Sequence, residues 1–169
     1  MLYVDTSVIV SALTKEADTA VSQIWLTGQE TSELTISDWT TTEFACALSI
    51  KLRTGGLGAD HRAAALSAFT RLCVESLRTL PMEREDFRVA ARLGDQSELN
   101  LRAGDALHLA ICANHGASLC TLDRRLESAL CLGRIGAGFP NQRDFDSTCW
   151  LGGGQQECQS RIRKTCVTA

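Results

Sequence analysis

The sequence predicts an α/β domain built on a central, mainly parallel sheet, and three observations carry that expectation. Short apolar runs alternate with longer amphipathic ones, the order that lays helices over parallel strands. Acidic residues recur where an apolar run gives way to a helix start. At 169 residues the chain has the length of one domain and buries a sizeable core.

Taken in order, Leu2 to Thr6 reads as a buried strand whose C-terminal end carries Asp5. Helices follow over Ser7 to Leu13 and Thr19 to Leu26, with Val8, Val10, Leu13, Val21, Ile24 and Trp25 as apolar faces. Leu34 to Ile36 is a second strand. Ser37-Asp38 then starts a helix that runs to about Leu52, and Gly55-Gly56-Leu57-Gly58 breaks the chain. A long helix is expected over Asp60 to Leu77, burying Ala64, Leu66, Phe69, Leu72 and Cys73. Leu77 to Leu80 reads as a third strand before Pro81. Glu83 to Gln96 is amphipathic; Gly104-Asp105 opens the apolar helix Ala106 to Ala113, which Gly116 ends. Ala117 to Leu122 is a further strand, and Asp123 opens the last helix.

After Leu132 the pattern deteriorates. Residues 133–169 hold six of the thirteen glycines and three of the eight cysteines, with no sustained period. The expected organisation is a folded domain over residues 1–132 and an irregular, poorly structured tail over 133–169.

Apolar residues make up 44% and charged residues 22%, as in ordinary globular chains. No apolar stretch reaches the ~18 residues of a membrane span, and no basic-then-apolar leader opens the chain. A cytoplasmic protein without a membrane partner is therefore the expectation. The cysteines form no CxxC pair and are not spaced with the three histidines as zinc ligands would be, so reduced thiols are expected, with Cys46, Cys73 and Cys112 on apolar helix faces. The net charge of −3 argues against nucleic acid, but three lysines leave fourteen arginines among the seventeen cations. Arginine suits bidentate phosphate contacts, and bound metal would offset some of the acids. Genome composition accounts equally well for the arginine excess.

Four carboxylates stand out, and each has a structural explanation by itself. Asp5 and Asp123 sit where N-caps sit. Glu43 lies three residues after Thr40 in the spacing of a capping box. Asp105 falls in the first turn of a helix that is apolar nearly all round, where the macrodipole favours an acid. His108, one turn further on, reads more simply as a satisfied core histidine than as a ligand. Together the acids change meaning. In a parallel α/β sheet, strand C-termini and the following helix N-termini converge on one crevice. Carboxylates gathered there repel unless a cation compensates them, and an all-oxygen site suits Mg²⁺ or Mn²⁺. Such a site activates water for phosphodiester hydrolysis.

Four segments resemble the PIN-domain ribonucleases, in particular the VapC-type toxins of bacterial toxin–antitoxin pairs. They are Tyr3 to Val10, Ser37-Asp38-Trp39 through Glu43-Phe44, Leu101 to Ala110, and Leu119 to Asp123; in order and separation they cover residues 1–132. The resemblance implies a PIN-like three-layer α/β/α fold and a Mg²⁺- or Mn²⁺-dependent endoribonuclease. It matches Asp5, Glu43, Asp105 and Asp123 to the family's acidic metal-binding quartet, and Ser7 and Thr121 to small hydroxyl residues that support it. Arg124 and Arg125, otherwise a solvated face, are placed to meet RNA phosphates. A homodimer and a cognate protein antitoxin are implied as partners. The tail departs from the family, whose members end soon after the last acid with another short apolar strand.

Two other classes compete. An aspartate-dependent phosphotransfer protein also places aspartates at strand ends. However, its phosphatase form needs an aspartate where Ser7 stands, and its receiver form needs a lysine beyond a late strand, whereas the lysines are Lys15, Lys51 and Lys164. A catalytically inactive PIN-like module that binds RNA or a partner is the other alternative, and the complete acidic quartet argues against it.

Overall fold

The computed structural model describes residues 1–131 and the backbone of Cys149 and Trp150; the expected tail over 133–169 otherwise lies outside the described residues. Strands β1 (Leu2–Val4), β2 (Leu34–Ser37), β3 (Arg78–Leu80), β4 (Ser118–Thr121) and β5 (Cys149–Trp150) form one sheet in the order β3-β2-β1-β4-β5. The pairings are parallel, Thr35 opposite Arg78 in β2–β3 and Cys120 opposite Cys149 in β4–β5. Seven α-helices accompany the strands among the described residues, which is the parallel α/β class the sequence predicts. None of those helices is long and apolar enough to cross a membrane.

The chain divides into two compact units, Val4–Pro81 and a second one made of Met1–Tyr3 with the chain from Met82 onward. In the first unit, α1 (Thr6–Leu13) packs on α2 (Thr19–Thr27), α3 (Asp38–Arg53) and α4 (Ala59–Glu75). Val8 and Ile9 are buried on α1, and every residue of β2 is buried, as a strand covered on both faces requires. Thr40, Phe44 and Leu48 form the buried stripe of α3 at i, i+4, i+8. The Phe44 ring meets Phe69 of α4 with centroids 4.4 Å apart. A hydroxyl pair, Ser22 Oγ donating to Ser11 Oγ at 3.0 Å, satisfies two buried polar groups between α1 and α2.

Several side chains of this unit depart from the sequence expectation. Ile24 is 67% exposed, because Ser22 and Trp25 make the buried face of α2. On α4 the buried positions are Ala65 and Phe69; Ala64 is exposed, and Leu66, Leu72 and Cys73 are only half-buried. Cys46 is exposed, two residue-steps of about 100° each having carried it to the face opposite the Phe44–Leu48 stripe. The error has one source: a run of consecutive apolar residues does not say which of them a single-sided helix buries.

In the second unit, α5 (Arg84–Gly94) packs against α6 (Ala103–His115), followed by β4 and α7 (Arg124–Cys131). Helix α6 buries seven consecutive residues, Ala106 to Cys112, and ends at Gly116, whose φ of 60° glycine adopts without strain. Buried Asp86 of α5 ties the two helices: its Oδ1 accepts from Asn114 Nδ2 at 2.7 Å and its Oδ2 from the Glu83 amide at 2.7 Å. Cys46, Cys73, Cys112 and Cys120 are reduced, in no disulfide, and burial pushes the Cys73 thiol up from the ordinary cysteine value.

Candidate metal centre

Within Val4–Pro81, β1 ends directly before Asp5 and α1 begins directly after it, so the strand-to-helix turn sets this side chain. Extended backbone at Asp5 (φ −67°, ψ 153°) makes it the N-cap of α1. Its Oδ2 accepts from the Ser7 amide at 3.3 Å and from the Ser7 hydroxyl, and the carboxylate is buried. The neighbouring hydroxyl, Thr6 Oγ1, donates to Glu43 Oε2 at 2.8 Å. Asp5 and Glu43 thereby present carboxylate oxygens within 4.8 Å of one another.

Glu43 requires a correction. It does not open its helix: α3 starts at Asp38, and Ser37 with Thr40 forms the capping box, the Ser37 amide donating to Thr40 Oγ1 at 3.4 Å. Glu43 stands in the second turn, where no amide needs an acidic cap. Its carboxylate accepts from Thr6 instead, so helix capping does not account for an acid at this position.

In the second unit, Asp105 is the third residue of α6, and its Oδ2 accepts from the Arg102 amide at 3.0 Å. One turn on, His108 is buried; its Nδ1 and the Tyr3 hydroxyl are hydrogen-bonded at 2.9 Å, with the rings 5.6 Å apart. Asp123 follows β4: its amide donates to Thr121 Oγ1 at 2.9 Å, and its Oδ1 accepts from the Arg125 amide at 2.7 Å, capping α7. Arg125 Nε lies 3.8 Å from the same oxygen, while Arg124 is exposed.

Asp5, Asp105 and Asp123 therefore do cap helices, as their positions predict. Capping and ligation are compatible, since each cap bond occupies one lone pair of a carboxylate that offers about four. The sequence reading overlooked Thr6 and Tyr3. For Thr6 a signal exists, a hydroxyl flanked by Asp5 and Ser7 at a helix start; for Tyr3 none does, because its partner is 105 residues away.

A model of the PIN domain family matches residues 2–129. No curated protein matches in sequence. Among solved structures, the chain is similar to FitAcB from Neisseria gonorrhoeae at 17% identity and a TM-score of 0.56, covering 76% of this chain and 92% of that one. It is likewise similar to FitAB bound to the IR36 DNA fragment, at 16% identity and a TM-score of 0.57, covering 76% and 90%. At these identities the likeness is one of fold.

Proposed function

Because the chain belongs to the PIN domain family, we propose that it is a metal-dependent endoribonuclease of the VapC toxin type, restrained by a cognate protein antitoxin. The observation that carries this reading is the Asp5–Glu43 pair, two carboxylate oxygens within 4.8 Å and each tethered by a hydroxyl from the start of α1. Like charges held so close in a partly buried place repel, and a divalent cation relieves that repulsion. The donors are oxygens, which fits Mg²⁺ or Mn²⁺. Asp5, Glu43, Asp105 and Asp123 are the residues that would hold the ion. When bound, it lowers the pKa of a water nucleophile and offsets charge on the phosphodiester.

The chain's own side chains do the remaining work. Ser7 and Thr6 fix the two carboxylates so that little reorganisation accompanies loading. Thr121 holds the backbone from which Asp123 projects. Exposed Arg124, with Arg125 beside it, meets RNA phosphates. A homodimer in the cytoplasm belongs to the same proposal. FitAB was solved bound to a DNA fragment, and DNA binding by an antitoxin-bound complex of this chain belongs to the same proposal.

The test is incubation of the purified chain with structured RNA and Mg²⁺, Mn²⁺ or EDTA. Cleavage is expected with either metal, and is lost with EDTA and in Asp5→Asn. Cleavage that survives EDTA overturns the mechanism; RNA binding without cleavage under every condition replaces it with the inactive binding module.

A further inference from the structure

We propose that a cavity between α1 and α4 binds a phosphate monoester of nucleotide size, at a site separate from the metal centre and independent of the nuclease reading. The cavity holds about 450 Å³, the size of a small-molecule site, and its walls belong wholly to the unit Val4–Pro81. Small side chains open it: Ala12 of α1 faces Ala64, Ala65 and Ala68 of α4, and the loop Gly55–Gly58 forms one edge. The ionisable residues that line it are Lys15 and His61, and the acids Asp5, Glu43, Asp105 and Asp123 are not among its walls. Asp60, the acid in the first turn of α4, is exposed and does not line it either. Glu16, next to the lysine in sequence, is already taken, with Oε1 2.6 Å from Lys51 Nζ. Lys15 thus faces the cavity with no carboxylate in the wall to offset its charge, a pattern that attracts an anion.

The walls are fixed by the chain's own bonds. Thr19 Oγ1 accepts from the Glu16 amide at 2.8 Å and donates to the Thr14 carbonyl at 2.8 Å, which sets the turn that carries Lys15. Gln23, also in the wall, donates from Nε2 to the Ala12 carbonyl at 2.8 Å. On the loop side, the Lys51 carbonyl accepts from the Gly56 and Leu57 amides at 2.8 and 3.1 Å. Such preorganisation lowers the ordering cost of binding. At the same edge Gly58 is the N-cap of α4 without any side-chain cap, and His61 Nδ1 stands 3.6 Å from where a Cβ at position 58 would lie. A phosphate monoester brings nearly two charges and three acceptor oxygens to these donors, more than a carboxylate offers. The alanine wall takes the apolar body that the phosphate is attached to.

The experiment is calorimetric titration of the full chain, with EDTA present, by AMP, adenosine and inorganic phosphate. AMP is expected to bind best, with adenosine and phosphate each about tenfold weaker or more, because each keeps one half of the fit. Lys15→Gln weakens AMP by about tenfold through the lost charged contact. Ala68→Leu fills the apolar wall, so AMP weakens while inorganic phosphate is unchanged. Gly58→Asp places a carboxylate where the phosphate sits and caps α4 at the same time, so AMP binding is lost while the thermal midpoint does not fall. That variant separates loss of the site from loss of the fold. A wild-type chain that binds none of the three probes overturns the proposal, as do Lys15→Gln and Gly58→Asp variants that bind AMP like the wild type. AMP binding that disappears in Asp5→Asn assigns the nucleotide to the metal centre and overturns it too. These outcomes concern binding without metal, so RNA cleavage with Mg²⁺ or Mn²⁺ stands or falls by its own test.

Discussion

The unit Val4–Pro81 and the unit from Met82 onward hold their helices by opposite means. The first closes α3 on α4 with an aromatic pair, Phe44 and Phe69; the second ties α5 to α6 with a buried carboxylate, Asp86, that accepts from Asn114 and from the Glu83 amide. The same contrast runs through the candidate site. Glu43 is held by a hydroxyl and caps nothing, while Asp105 and Asp123 each accept a backbone amide at a helix start. An acid that also caps has two reasons to be present, so its presence alone says little about chemistry. An acid in a second helical turn has one, which is why Glu43 is the more informative of the four.

The comparison breaks most readily at the aromatic pair. Phe44→Ala removes a fully buried ring and leaves its partner facing a void, for an expected loss of about 3–5 kcal/mol in urea unfolding. A loss below about 1 kcal/mol would show that the clamp lies elsewhere. Next in size, Asp86→Ala strands two donors in a buried place and is expected to cost about 2–3 kcal/mol in the same assay. If Asn114→Ala by itself is neutral, the carboxylate acts through the Glu83 amide and the tie between helices is not polar after all. The smallest effect sharpens the double role of Asp105. Without metal, Asp105→Ala is expected to lower stability by about 1 kcal/mol through the lost cap, whereas Asp105→Asn keeps an acceptor and leaves the thermal midpoint nearly unchanged. Equal losses in both variants would mean that charge, not capping, carries the stability at this position.

Much of the fold was legible in the chain. The predicted helices and strands fall within a few residues of α1 to α7 and β1 to β4, because strand length, helical period and Gly or Ser punctuation are local signals. Gly116 ends α6 where expected, and Ser37-Asp38 starts α3 where expected. What misled was burial within an element. The sequence put Cys46 on an apolar helix face, yet α3 buries one stripe and exposes Cys46 and Ile50. The capping box assigned to Glu43 belongs to Ser37 and Thr40, three residues earlier, because Ser, Thr and acid residues crowd this helix start and spacing alone admits several boxes.

By itself the sequence determined the order of elements, the parallel α/β class and the helix-start positions of Asp5, Asp105 and Asp123. These follow from interactions between residues a few positions apart, which any reader of the chain can count. Only the tertiary structure decided that Thr6 holds Glu43 across 37 residues and that Tyr3 holds His108 across 105. Such pairings have no local signature: they arise when packing of apolar faces brings distant polar groups together, and a buried donor must then meet whichever acceptor the packing has delivered.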